Sequence, residues 1–388
     1  MTLSLKKIFF IFLKLGCLCF GGPIAHLSFL HHEFVERRKW VDEKTYMSLV
    51  ALCQSLPGPA SSQVAAALGM KERGIFGGII ALTGFLLPAT FILIVAAYGI
   101  DVLAKNIDLH WLDGLKLAVV AIVAQAILSM SRKFCNDKNR FMILIFATII
   151  TLLSSGIWGQ LTVIAMGAII GKILLSESEN QSIVISPFIK INTRVMFLAW
   201  GLLLAGFFLF PVIEKFSPHA FLQFFDIFFR TGALVFGGGH VILPLLQTQI
   251  VAPNFVNNDI FLVGYGLTQA LPGPLFSFAA FLGTIIGGWS MGLLCLIAVY
   301  LPSVLILLGV LPFWEKWRHH SKFQAVLAGI NAAVVGLLLG AFYTSVWTDA
   351  VHSVLDVAIV LAAFIALEYF KLSQWIVVIG VGIIGAIV

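Results

Sequence analysis

Charge is scarce in this chain. Of 388 residues, 24 are Lys or Arg and 18 are Asp or Glu, 11% in all. A soluble domain carries roughly 25% charged residues, and a soluble chain of this length could not cover its surface with so few. With 60% hydrophobic residues, disordered, collagenous and disulfide-scaffold classes are excluded and an integral membrane protein remains. Segments of about ten residues with alternating polarity, the mark of a membrane barrel, are missing too. The apolar runs are long and continuous, as at 75–100 and 293–311, and each suits the roughly 20 residues of a membrane helix. The fold class is therefore all-α and polytopic. At about 30 residues per span and loop, the length allows roughly a dozen membrane segments. The net charge of +6 needs no nucleic acid; its sign suits a basic cytoplasmic face.

Other absences narrow the chemistry. The five cysteines (Cys17, Cys19, Cys53, Cys135, Cys295) form no CxxC and read as small apolar packing residues. No HExxH, acidic cluster or supported Ser-His-Asp arrangement occurs, so a membrane enzyme has no support and no catalytic residue, metal or cofactor is expected. The pairs His31-His32 and His319-His320 point to different sides of a helix and do not share a metal. None of the acidic residues lies near the middle of an apolar segment; Asp226 comes closest. Membrane sites for Na⁺, H⁺ or metal cations commonly use such carboxylates. Three cations do sit inside apolar segments: Lys14, Lys116 and Arg230.

The first residues imitate a signal peptide, with Lys6-Lys7 before an apolar stretch, but Lys14 interrupts it and no small-residue cleavage site follows. The same pattern recurs in mid-chain, so residues 1–30 are expected to stay in the mature protein. FLKLGCLCFGG at 12–22 returns as FFRTGALVFGG at 228–238, an offset of 216. Gln54-Ser55-Leu56-Pro57-Gly58-Pro59 returns as Gln269-Ala270-Leu271-Pro272-Gly273-Pro274 at 215. Gly69, Gly74, Gly78 and Pro88 return as Gly283, Gly288, Gly292 and Pro302 at 214, and Gly114 and Gly167 as Gly329 and Gly382 at 215. The order is collinear, so the chain reads as two homologous repeats, 1–175 and 216–388. Between them, 176–215 holds a polar linker (176–190) and one unpaired membrane helix near 195–213.

Each repeat has six apolar segments, so moving from a segment to its counterpart crosses seven. Seven is odd, and the repeats face opposite ways, as in many secondary transporters. The basic loops agree. Arg132, Lys133, Lys138 and Arg140 lie between segments four and five of the first repeat, whereas the second carries Lys316, Arg318 and Lys322 between segments three and four. The basic side placed inside puts the N-terminus in the cytoplasm and the C-terminus outside. One loop dissents: Arg37, Arg38, Lys39 and Lys44 fall outside if every segment spans, leaving 15 basic residues inside and 6 outside. If the first two segments of each repeat enter and leave on one face, the balance becomes 19 to 2. Neutralisation of that loop by Glu33, Glu36, Asp42 and Glu43 is the other reading.

The repeated motifs carry the chemistry. Pro57-Gly58-Pro59 and Pro272-Gly273-Pro274 must break a helix, and the helix restarting after each turns free N–H groups toward the break, where anions are favoured. Ser61, Ser62 and Ser277 follow with hydroxyls, and Gln54 and Gln269 precede them. The alternative is a structural kink whose freed backbone groups Ser and Gln satisfy. The pairs Gly21-Gly22 and Gly237-Gly238 allow close packing or expose N–H groups to a ligand. His240 follows the second pair as a donor or proton carrier. Lys14 and Arg230 recur upstream as intramembrane charge or as snorkelling side chains. Basic residues and broken-helix N-termini, with no acid near the middle of a segment, point to an anionic substrate.

Phe20-Gly21-Gly22-Pro23 with a downstream Leu56-Pro57-Gly58-Pro59, repeated as Phe236-Gly237-Gly238-Gly239 and Leu271-Pro272-Gly273-Pro274, resembles the chromate ion transporter family in its long, two-repeat form. The resemblance covers essentially the whole chain. It implies export of chromate, a tetrahedral dianion that mimics sulfate, across a bacterial inner membrane, driven by the membrane potential or a coupled ion or proton. An anion channel is the alternative. A homodimer is left open. The second repeat departs from the first, with Gly239-His240 where the first has Pro23-Ile24, so half-specific roles are expected.

Overall fold

The computed structural model describes residues 3–103, 110–154, 156–175, 189, 191–216, 219–313 and 321–387. The linker expected over 176–190 lies outside these residues apart from Ile189, as do Lys105, Lys316, Arg318 and the pair His319-His320. No strand occurs among the described residues. Five helical stretches are long and apolar enough to cross a membrane: Ala60–Ile100, Asp113–Phe134, Thr193–Ile213, Leu275–Phe313 and Ser321–Ala350.

The helices are α1 (Leu5–Leu18), α2 (Gly22–His31), α3 (Glu43–Ser55), α4 (Ala60–Leu103), α5 (His110–Phe134), α6 (Lys138–Leu153), α7 (Ile157–Leu174), α8 (Thr193–Phe216), α9 (Ala220–Leu234), α10 (Ile242–Leu246), α11 (Asn258–Ala270), α12 (Phe278–Val310), α13 (Ser321–Ala341), α14 (Val354–Glu368) and α15 (Gln374–Ile387). Side-chain caps fix several starts: Ser4, Asp42, Asp137, Asn257 and Ser353 each accept a backbone N–H of the first turn, as short polar residues do at N-caps. The FGG and PGP motifs are the gaps between α1 and α2, α3 and α4, α9 and α10, and α11 and α12.

Two of the long stretches fold on themselves. α4 turns at Arg73–Gly74 and α12 at Gly287–Gly288. Gly69 then faces Gly77 and Ala81, and Gly283 faces Met291 and Gly292. A Cβ at either glycine would overlap its neighbours, so the arms of each hairpin touch through backbone. The break expected between 70 and 74, and between 286 and 287, is a tight turn in both cases.

Residues 1–98, 181–239 and 272–319 form one compact unit; 99–180, 240–271 and 320–388 form a second. Each takes elements from both sequence repeats. In the first unit, α12 packs on α8 and α9. Gly16 of α1 meets the Phe85 carbonyl of α4, and its counterpart Gly232 of α9 meets the Val299 carbonyl of α12. The chain also returns on itself here. Arg73 donates to the Leu3 carbonyl at 2.6 Å, Lys71 donates to the Trp40 carbonyl, and Phe34 stacks on Phe12 at 5.0 Å. Phe197, Leu198, Leu202 and Phe208 of α8 are exposed, a surface suited to lipid.

In the second unit, α13 lies on α6 and α7, and α5 lies on α11, α14 and α15. Gly329 of α13 meets Gly167 and Gly171 of α7, while its counterpart Gly114 of α5 meets Gly382 and Gly385 of α15. Segment four of each repeat thus packs on segment six of the other. Arg132 closes one end with a 2.6 Å ion pair to Glu368. That hydrogen bond, foremost, holds the half-buried Glu368 carboxyl below the usual carboxylate range.

Candidate functional site

In the first unit both PGP motifs have the same build. α3 ends with Leu56 extended, Gly58 takes φ +110°, and α4 starts at Ala60. After α11, Leu271 is extended, Gly273 takes φ +121°, one 3₁₀ turn spans Leu275–Ser277, and α12 follows. Glycine is required for two reasons. The φ values are ones that L side chains rarely adopt. A Cβ on Gly58 would also stand 2.5 Å from Ser303 Cβ, and one on Gly273 2.6 Å from Ala89 Cβ. Ser303 and Ala89 are themselves repeat counterparts, one residue past Pro302 and Pro88.

The two breaks are cross-braced. The Gly58 amide donates to the Val235 carbonyl at 2.7 Å, and the Gly273 amide donates to the Cys19 carbonyl at 2.9 Å. Cys19 and Val235 immediately precede Phe20-Gly21-Gly22 and Phe236-Gly237-Gly238. Each PGP motif is therefore held by the helix end preceding the other repeat's FGG. Gly21, Gly22, Gly237 and Gly238 all have positive φ, which turns the chain sharply after these carbonyls. Pro57, Pro59, Pro272 and Pro274 frame the glycines and shape the turns.

Ser61 and Ser62 are buried in the first turn of α4, and Ser277 is buried where α12 begins. Two residues missed from sequence join them. Gln63 donates from Nε2 to the Pro57 carbonyl at 2.9 Å and the Ser303 carbonyl at 3.3 Å, which ties the first break to α12. His26 of α2 is buried, with Nδ1 3.4 Å from Ser61 Oγ and Nε2 unpartnered. An ionisable residue inside an apolar segment was a signal for His26, the same signal that singled out Lys14. Gln54 is half-buried in the last turn of α3.

The repeated cations are not brought to the breaks. Lys14 is exposed, on the face of α1 away from the buried Ile8, Ile11, Phe12 and Leu15. Arg230 turns toward α8. Its Nε donates to both carboxylate oxygens of Asp226, one turn earlier, at 2.8 Å. Its second arm donates to the Phe207 carbonyl at 2.5 Å, with the guanidinium 5.5 Å from the Phe207 ring. The charge is matched inside the protein rather than left for a ligand.

The second unit holds His240 and Gln269. Gln269 Nε2 lies 3.3 Å from His240 Nδ1, and the Tyr265 hydroxyl lies 2.7 Å from the same nitrogen. The Tyr265 hydroxyl and the Gln269 amide therefore converge on one ring nitrogen of His240. These two contacts fix the orientation of the His240 ring. Tyr265, fully buried, was not singled out from sequence. Lys116, the third intramembrane cation, pairs with Asp113 at 2.6 Å and with Asp259 in the first turn of α11 at 2.9 Å. Among the described residues no group of His, Cys, Asp or Glu could hold a metal ion.

Within the first unit, two helix N-termini and buried hydroxyls are groups that favour an anion. The chromate transporter family pattern matches this chain twice, over residues 6–172 and 222–386. A chromate transport protein of Pseudomonas aeruginosa is 27% identical over 395 residues, which covers 100% of this chain and 93% of that protein. An uncharacterised transporter of Methanocaldococcus jannaschii is 29% identical over 341 residues, 87% of this chain and 83% of that protein. A shorter uncharacterised transporter of Bacillus subtilis is 28% identical over 171 residues, 43% of this chain and 96% of its own length. No solved structure matches.

Proposed function

The chain belongs to the chromate transporter family, and from that membership we propose that it is a secondary transporter exporting chromate, or a related tetrahedral oxyanion such as sulfate, across the inner membrane by alternating access. The observation that carries the proposal is the pair of cross-braced PGP breaks. Each repeat contributes one break, each break starts a helix, and each donates a hydrogen bond to a carbonyl of the other repeat. A helix N-terminus at a break favours negative charge. A substrate site at the break of a discontinuous helix, near the interface of inverted repeats, is the pattern of many secondary transporters. The repeats are taken as six segments each, in opposite orientations, around the unpaired helix α8.

Flux of chromate and sulfate in proteoliposomes, under imposed pH and potential gradients, tests the reading. Uphill accumulation that collapses when the gradient is removed is the expected result. Flux that only ever runs downhill would instead identify a channel.

The same reading takes the first two segments as re-entrant, dipping in and returning with the FGG and PGP motifs at their tips. Contacts at the segment ends support it. Lys71 at the end of the first arm of α4 reaches Trp40, just before α3, and Arg73 reaches Leu3, before α1. Phe12 and Phe34 also meet on either side of the FGG turn. Arg37 is exposed, so Arg37→Cys should react with an impermeant thiol reagent from the cytoplasmic face alone. Labelling from the outer face would rule the re-entrant arrangement out.

A further inference from the structure

Charge in the second unit is sorted by end. Arg132 and Lys133 stand in the last turn of α5, Lys138 and Arg140 in the first turn of α6, Lys172 in the last turn of α7, and Lys371 between α14 and α15. Contacts gather them at one end. Arg132 and Lys371 share the Glu368 carboxylate, at 2.6 and 3.6 Å. The short link 135–137 joins α5 to α6. Asn139, at the start of α6, donates to the Leu174 carbonyl at the end of α7, at 3.4 Å. Against these six cations stand two carboxylates among the described residues, Asp137 and Glu368. The opposite end is acidic. Lys116, about 24 Å back along α5, meets Asp113 and Asp259. Asn258, beside Asp259, donates to Asp349, and Asp356 opens α14.

Within the basic end, Lys138 and Lys172 differ from their neighbours. Arg132 and Lys371 are held by Glu368, and Arg140 pairs with Asp137 at 3.1 Å. Lys138 and Lys172 are exposed and belong to none of these pairs. Each also heads an outward apolar stripe. On α6, Lys138 is followed at helical spacing by the exposed Phe141, Ile145 and Ile149. On α7, Lys172 is preceded by the exposed Ile169 and, three turns further back, by Trp158. Such stripes suit acyl chains, and each ends in an ammonium where headgroups begin.

We propose that α6 and α7 form a seat for an anionic phospholipid of the surrounding bilayer. Its headgroup phosphate lies between Lys138 and Lys172, and its acyl chains run along the two stripes. Each lysine offers three donors and a full charge. The excess of cations around them complements a negative headgroup, as basic pockets between membrane helices do. A small soluble anion would use the lysines and leave both stripes idle, which favours the lipid. The seat uses no residue of the PGP breaks, so it concerns what surrounds the protein rather than what passes through it.

The test places the full-length protein in nanodiscs of phosphatidylcholine, with and without phosphatidylglycerol. Melting temperature reads stabilisation, and native mass spectrometry reads the lipid retained after extraction. Wild-type protein should melt higher with phosphatidylglycerol and retain it, and added salt should shrink the gain. Lys138→Gln combined with Lys172→Gln should weaken retention roughly thirtyfold, about fivefold per lysine, and lose the gain. Both side chains are exposed, so this variant should melt as wild type does in phosphatidylcholine alone. Lys138→Arg with Lys172→Arg, which keeps the charge, should retain the lipid. Lys44→Gln with Lys215→Gln removes the same charge from exposed positions of the first unit and should behave as wild type. Undiminished retention in the Lys138 and Lys172 glutamine variant would overturn the seat, and so would an equal loss in the Lys44 and Lys215 variant. Equal stabilisation by inorganic phosphate in phosphatidylcholine would overturn it too, by making the site one for an ion.

Discussion

Gly58→Ala and Gly273→Ala are each expected to abolish oxyanion transport. Both positions hold φ values, +110° and +121°, that cost an L side chain about 1–3 kcal/mol. Both added methyls would overlap a neighbour, Ser303 Cβ at 2.5 Å and Ala89 Cβ at 2.6 Å, and relieving such an overlap costs about 1–3 kcal/mol more. Any backbone shift also moves the amide that donates to Val235 or Cys19, so damage in one repeat reaches the other. Gly74→Ala is the control. Its φ of +59° and ψ of −154° carry a conformational cost of the same order, about 1–3 kcal/mol, but nothing lies within 4 Å of the added methyl, so only the overlap and the lost brace are absent. Ala89→Gly in the Gly273→Ala background should recover the steric share alone. Transport in vesicles at matched protein level, with melting temperature alongside, reads the effect. Full activity in Gly58→Ala would mean that the brace does no mechanical work.

Arg230→Gln should deplete the protein from the membrane, and Asp226→Asn in the same chain should bring it back. The ion pair is shielded on both sides, at 20% and 12% side-chain exposure. Removing one member leaves the other charge uncompensated, at about 3 kcal/mol or more. Neutralising both leaves an amide pair at the same i,i+4 spacing, able to hydrogen-bond. Membrane abundance by immunoblot reads the first effect, and flux at matched abundance reads the second. If the double variant is abundant but inert while Asp226→Asn alone transports, Arg230 neutralises the substrate rather than Asp226.

The two breaks were legible in the sequence because proline and glycine act on the backbone directly. Their repetition at a nearly constant offset marked them as design rather than accident. Side-chain direction was not legible in the same way. Lys14 and Arg230 recur at matching positions, but recurrence does not say which face of a helix a residue occupies. Lys14 faces outward. The partner of Arg230 could have been read, since Asp226 lies four residues earlier on the same helix, the spacing at which side chains meet. The residues that were missed share one property: they break the symmetry. Tyr265 stands opposite Val50, His26 opposite Ile242 and Gln63 opposite Phe278. Matching motifs do not mark a residue that only one repeat carries.

The crossed hydrogen bonds also impose a timetable on synthesis. The carbonyl of Cys19 is matched by the amide of Gly273, which the ribosome reaches 254 codons later (273 − 19). At roughly 5–20 residues per second, the wait is about 13–50 s. During that interval the Cys19 carbonyl lacks its Gly273 donor, and a backbone acceptor short of its partner is one that hydrocarbon penalises. The bracing of the first repeat thus waits on synthesis of the second.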